Sequence, residues 1–293
     1  MKAVFGVLVA VLVGLALSAT AQTKPEPREG GILGTGIVGT ITKLGSIYVN
    51  GQHIRFAPNL AVSGGIGVET AEALRPGDTV AATVEPEGDA WRALRLERVL
   101  PIIGPVASLS GGGAVVMGTR VVLPADVGPV RVGDWVAVGG LWQGAAIIAS
   151  AVSVIPPQAQ ARMQGSFFFS ADGAAIDIGG SLITGILPQN AQEGAVVRVT
   201  GQPMATGLAA RMLGMGVFAQ TPGLVLAEGY MSAPRPSGLY TLLGSGLVEY
   251  AGDPAMVADP ARVQRCGVGD RLVSGDGVDG ALAAGLARLG CMP

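Results

Sequence analysis

One short phrase recurs along the chain and constrains its fold more than any other feature: a Gly-Asp turn feeding directly into an alternating apolar strand. It is clearest at Arg131-Val132-Gly133-Asp134-Trp135-Val136-Ala137-Val138, and it returns at Arg75-Pro76-Gly77-Asp78-Thr79-Val80 and at Gly267-Val268-Gly269-Asp270-Arg271-Leu272. A weaker copy, Gln192-Glu193-Gly194-Ala195-Val196-Val197, lacks the Asp. Gly tolerates positive φ and Asp bonds its own backbone, so each copy reads as a tight turn opening a strand. A chain with 47 Gly and 19 Pro favours many short strands over long helices. The repeat speaks to architecture and says little about chemistry.

Counting from these glycines divides the chain into units. In the first, Ile37–Thr42 reads as a strand and Ser46–Val49 with Gln52–Phe56 as a hairpin about Asn50-Gly51. Asn-Gly is the preferred pair for a type I′ turn. That turn predicts the pairs Val49 with Gln52, Tyr48 with His53, and Ile47 with Ile54. Ile47, Val49, Ile54 and Phe56 then share one face, and Tyr48, His53 and Arg55 the other. Thr79–Val84 and Ala90–Val99 complete the unit. The second unit uses Val106, Ala114–Met117, Arg120–Leu123, Trp135–Val138 and Ala145–Val154. The third uses Ile176–Gly179, Ala195–Val199 and Leu208–Met215. The fourth is loosest, with Gly229-Tyr230, Leu247–Tyr250, Asp270–Ser274 and Ala281–Leu289 read as its strands.

The offset from hairpin Gly to phrase Gly is 15 residues for Gly118 to Gly133 and 15 for Gly179 to Gly194. From Gly51 to Gly77 it is 26, an 11-residue insertion that fits Ala61–Ala71, and from Gly252 to Gly269 it is 17. Sixteen residues after each phrase Gly stand Ala93, Ala149, Ala210 and Gly285, all small. Units of this size bury an apolar face by curling into a small open OB- or SH3-like barrel or by forming a compact sandwich. The expectation is an all-β protein of tandem small barrels, three clear and a fourth degenerate, over residues 34–100, 103–156, 163–218 and 223–293. Units so small are marginal alone, so contacts between neighbours should matter.

The start of the chain reads as a targeting signal. Lys2 precedes an apolar run from Ala3 to Leu17, and Ala19-Thr20-Ala21 matches a signal-peptidase site, so 1–21 is expected to be removed after Ala21. The run falls short of the roughly 20 residues of a membrane-spanning helix. Residues 22–33 read as a polar, disordered linker. Export to the periplasm or beyond is the expected destination. Loss of Lys2 moves the formal net charge from −2 to −3. That balance excludes nucleic acid as a partner, because its binding needs a basic footprint. A mean hydropathy of +0.50 is compatible with an outer-membrane barrel, but aromatics are only 4% of the chain and its strands read as shorter than the roughly ten residues such a barrel needs.

The module resembles the bacterial domain of unknown function 5666, a family of exported β modules often found in tandem. The residues carrying the resemblance are Gly36-Ile37-Val38-Gly39-Thr40-Ile41 with Val49-Asn50-Gly51, Leu74–Val80, and Val132–Gly140. Units one and two match well, three partly and four poorly. The resemblance implies the fold and an exported location and transfers no site.

Chemistry has few places to reside. Cys266 and Cys291 flank the two last strands expected in unit four, around the turn-rich Gly275–Gly280. A hairpin there would bring them together, and an exported chain would oxidise them. His53, the one His in the chain, lacks a nucleophile and acid and reads as a solvated strand residue, with a ligand face formed by Tyr48, His53 and Arg55 as the alternative. Asn50, Gly51, Gly77, Asp78, Gly133, Asp134, Gly194, Gly269 and Asp270 read as structural turn residues. Asp276–Gly280 lacks the closing Glu of a calcium loop, Gly111-Gly112-Gly113 lacks the Lys-Ser/Thr of a phosphate loop, and Met204, Met212, Met215 and Met231 read as core filling rather than a copper site. No cofactor or metal is expected. The expected role is an exported binding or structural module of the envelope, with an envelope protein or glycan as partner. The rival classes are an envelope-polymer hydrolase using paired carboxylates and an outer-membrane barrel. The insertion Ala61–Ala71 and the Tyr48, His53, Arg55 face are the expected places for a site.

Overall fold

The computed structural model describes residues 34–251, 260–273 and 280–291. The expected signal peptide and linker lie outside the described residues. Among those described, every regular element but a 3₁₀ turn and one α-helix is a strand.

In module one, β1 (Thr35–Leu44) leads through β2 (Ile47–Val49) and β3 (Gln52–Arg55). The insertion supplies β4 (Ala61–Ser63) and β5 (Glu69–Thr70), and β6 (Thr79–Glu87) and β7 (Ala90–Arg98) complete the unit. Pairing runs β1-β2-β3-β7-β6 and back to β1, a closed barrel with Ile37, Ile41, Ile47, Ile54 and Val80 inside. The hairpin has the expected register, and both turn residues take positive φ, +54° at Asn50 and +76° at Gly51. Module two closes identically from β8 (Ile102–Ser110), β9 (Gly113–Val116), β10 (Thr119–Val122), β11 (Trp135–Gln143) and β12 (Ala146–Ile155). Gly111-Gly112 is the turn between β8 and β9. Module three uses β13 (Ala161–Ser166), β14 (Phe168–Phe169), β15 (Ile176–Ile178), β16 (Ser181–Thr184), β17 (Val196–Met204) and β18 (Gly207–Met215). Its first strand is interrupted at Phe167, whose ring is wholly buried.

The phrase makes the same turn three times. Gly77, Gly133 and Gly194 have φ of +93°, +91° and +85°. Their N–H groups donate to the carbonyls of Ile41, Val106 and Phe167, each at 2.9 Å. Those residues return bonds to the carbonyls of Asp78, Asp134 and Ala195 at 2.8, 2.8 and 3.1 Å. The turn thus grips the first strand where that strand bulges or breaks, and a bulge supplies the bend a small barrel needs. A second bulge falls at Thr83/Val84, Gly139/Gly140 and Thr200/Gly201, opposite Ala93, Ala149 and Ala210. The small residues sixteen places after the phrase Gly therefore sit where two strands crowd together. One offset needs correction. The hairpin turn of module three is Gly179-Gly180, and Gly180, not Gly179, matches Gly51 and Gly118 in second place.

Module four departs from expectation. It comprises β19 (Leu224–Tyr230), β20 (Leu239–Leu242), β21 (Leu247–Tyr250), β22 (Arg262–Val268), β23 (Arg271–Leu272) and α1 (Gly280–Arg288). The Gly269-Asp270 turn joins β22 to β23, so it corresponds to Gly88-Asp89 and not to the phrase turn. Gly followed by Asp suits either kind of turn, and the local signal cannot separate them. The fourth strand starts at Arg262, and its hairpin turn is Leu243–Gly246; Gly252 lies outside the described residues. The stretch Ala281–Leu289, expected as a strand, is helical up to Arg288. Leu282, Leu286 and Leu289 fall at helical spacing, and Ala, Leu and Arg are strong helix formers. Gly285 sits inside α1 against Leu224 and is no strand residue. The Gly275–Gly280 turn, with the calcium-loop reading placed on it, lies outside the described residues except for Gly280, where α1 begins.

Cys266, within β22, and Cys291, just after α1, are disulfide-bonded with Cα atoms 6.0 Å apart. The pairing is the expected one, reached by strand and helix instead of a hairpin. The helix lays Leu286 and Leu289 into the module-one core, and Arg288 sits 4.8 Å over the Trp91 ring while donating to the carbonyls of Gly88 and Ala90.

The modules do not associate in chain order. β1 pairs in parallel with β19, Thr35 to Ala227 in register, which fuses modules one and four into one sheet. β8 pairs with β13, fusing modules two and three. One apolar core spans two and three, another spans one and four, and a third joins Val38, Val99, Val196, Val217 and Leu242 from modules one, three and four. Trp142 of module two knits the arrangement together. Its ring rests on Gly165 and Gly179 of module three and Gly244 of module four, and its Nε1–H donates to the Gln164 carbonyl at 2.8 Å. A Cβ at Gly179 would overlap that ring.

Candidate binding cleft

The insertion in module one leaves the barrel wall after β3 and folds back along the second half of β7. Asn59 takes φ +58°, and its N–H donates to Glu72 Oε1 at 2.8 Å, clasping the base of the excursion. This bond holds the Glu72 carboxyl below its ordinary range. β4 adds to the sheet in parallel, Val62 opposite Leu96 and Ser63 opposite Glu97, with Val62 buried. Gly64 then turns at φ +79°, with no room for a Cβ beside the Arg98 carbonyl. The carbonyls of Gly64 and Gly65 point across to module three. There they accept bonds from the Arg162 guanidinium at 3.3 and 2.7 Å.

Between the insertion, β7 and module three lie two adjoining clefts of about 450 and 430 Å³ that share Ser63, Arg95, Glu97 and Ala219. The first is mainly apolar, lined by Val62, Leu94, Val217 and Phe218 among others. The second is basic. Arg95 projects from β7, Arg162 from β13 and Arg198 from β17, against one acid, Glu97. Arg198 Nη1 reaches both Glu97 oxygens, at 3.0 and 3.3 Å. Arg95 is exposed and forms no ion pair among the described residues. Among the described residues, Arg162 has only backbone carbonyls as partners, and burial pulls its guanidinium below its ordinary pKa, though arginine stays charged at any ordinary pH. A protein of net charge −2 thus presents three cations to one anion in this cleft. Both volumes fall in the ~300–1,000 Å³ range of small-molecule sites.

The face expected at Tyr48, His53 and Arg55 is real as a surface. Tyr48 and His53 stack with ring centroids 4.6 Å apart, and the His53 Nε2 lies 3.2 Å from the Gly45 carbonyl. Arg55 turns instead to Glu87 and Asp89, each at 3.7 Å. None of the three lines either cleft. The turn residues hold turns: Asp78 and Asp134 accept the N–H groups of Arg75 and Arg131 at 2.7 and 2.8 Å. Burial pushes the Asp78 carboxyl up, against the opposing pull of the Arg75 N–H and the Arg98 charge. Among the described residues, no three His, Cys, Asp or Glu gather as a metal site, and no helix is long and apolar enough to cross a membrane.

Sequence reasoning reached the insertion but missed the arginines. A signal was present: the position of Arg198, four after the phrase Gly, is Ala81 in module one and Ala137 in module two. By register, Arg162 stands where module one has Gly36.

Fold and cleft together define an all-β protein of four fused small barrels, with a ligand-sized recess where one module departs from the repeat. No family model, curated protein or solved structure matches the chain.

Proposed function

We propose that this is an exported binding module of the cell envelope that receives its ligand in the double cleft beside the insertion. The observation supporting this reading is that the one excursion from the repeat in module one walls two adjoining ligand-sized recesses. Ser63 serves both of them. An excursion that only filled a gap would leave no such recess behind it. Barrels filled by their own side chains offer no lumen, so a ligand is received on the outside of the barrels. Among the described residues, Glu97 is the single carboxylate lining either cleft, and paired-carboxylate hydrolysis needs two. The apolar run, the small-x-small site after it and the resemblance to the exported β-module family support the location.

The test has two parts. Cell fractionation with N-terminal sequencing should recover a chain beginning at Gln22 outside the cytoplasm; an intact Met1 in the cytoplasm would end the exported reading. Ala219→Trp, at the junction of the clefts, should abolish binding of envelope-derived ligands while leaving the thermal melt unchanged.

A further inference from the structure

Resting on that reading of the cleft, we infer that the ligand is a single-chain anionic amphiphile, with its carboxylate or phosphate head at Arg95, Arg162 and Arg198 and its chain along the apolar half. Two observations place the head group. The Arg162 guanidinium is held by the Gly64 and Gly65 carbonyls, which fix its plane without neutralising its charge. Glu97 is already engaged by Arg198, so the recess keeps an excess of positive charge even with its one acid in place. Immobilised, partly desolvated guanidinium groups bind carboxylate and phosphate through paired N–H donors, more strongly than neutral hydrogen bonds would.

The adjoining recess supplies the second half of the specificity. Leu94, 42% exposed, and the half-buried Phe218 present apolar surface in the recess that Arg95 also lines. A small polar anion would leave that surface uncovered. A neutral chain would leave the arginines without a counter-charge. An amphiphile with one charged end satisfies both, because Arg95 and Glu97 line both recesses and mark where head meets chain.

The experiment titrates the purified, processed protein calorimetrically with dodecanoate and with dodecyl phosphate below their micelle concentrations. Dodecanol-based neutral amphiphile, acetate and inorganic phosphate serve as comparisons. Both long-chain anions should bind, and the neutral amphiphile and the short anions should bind about tenfold more weakly or worse, given the strength of charge-assisted hydrogen bonds. The exposed Arg95→Gln should weaken the anions by about tenfold without moving the melting temperature; Arg162→Gln, tested for folding first, should weaken them further. A preference of one head group over the other distinguishes fatty-acid from phospholipid-derived ligands. Equal binding of neutral and anionic amphiphiles, with both lost in Ala219→Trp, overturns the anion assignment and leaves the cleft reading standing. Binding that survives Ala219→Trp overturns both. No binding of any long-chain anion overturns the amphiphile assignment alone, since ligands of other chemistry are still tested by the cleft-filling variant.

Discussion

Asp78 and Asp134 hold the same turn by the same bond, yet the surroundings make them unequal. Asp134 is half-exposed and accepts only the Arg131 N–H from this turn. Asp78 is buried and also pairs with Arg98, which in turn holds Glu69 of the insertion. Asp134→Ala should cost about 1 kcal/mol, one hydrogen bond, whereas Asp78→Ala should cost about 3 kcal/mol because it strips a largely buried cation of a partner. Equal losses in chemical denaturation would mean that Arg98 does not depend on Asp78. Glu72 gives a pH-dependent test at the same scale. Its folded carboxyl is depressed by the Asn59 N–H, so its contribution is present above the unfolded pKa and is lost as pH falls through the folded one. The Asn59 amide resonance should shift, and its hydrogen exchange accelerate, on the acid side of the ordinary carboxylate range; Glu72→Gln should remove that titration. These turns were legible from residue types because positive φ and side-chain capping are local properties. The burial of Asp78 was not, since it depends on Arg98, twenty residues away.

At the scale of elements, α1 is too short to persist alone. It is held by three leucines on a foreign barrel, by Arg288 over Trp91 and by the Cys266–Cys291 bond. Reduction, or Cys266→Ser with Cys291→Ser, should lower stability by about 3 kcal/mol through the freed loop. Amides of α1 should exchange faster, while those of β9 and β10, in the other sheet, should not change. Uniform acceleration across both sheets would show that the bond acts on the whole fold. The hairpin β2–β3 and its register could be read ahead because Asn-Gly dictates both. The helix could have been read too, from Leu282, Leu286 and Leu289, but the small-residue match at Gly285 masked a change of period from two to three and a half.

For the molecule as a whole, sheet continuity joins modules one and four, although they lie at opposite ends of the described chain. A chain ending at residue 218 should therefore lose more than module four. With β19 gone, β1 loses a neighbour and Leu224 and Leu226 leave the module-one core. Hydrogen exchange should rise in β1 and β6, while β9, β10 and β12 stay protected; unchanged protection in β1 would show that module one stands by itself. The sequence on its own determined the phrase turns of modules one to three, the register of the Asn50-Gly51 hairpin, that the chain is built of small repeated β units, and which cysteines meet. Each of those follows from backbone conformations available to a few neighbouring residues, or from alternation within one strand. Only the tertiary structure decided that module one joins four and two joins three, that Trp142 sits among three glycines of other modules, and that Arg95, Arg162 and Arg198 face one recess. Those outcomes depend on which apolar faces bury one another across long separations, and no local preference encodes that choice.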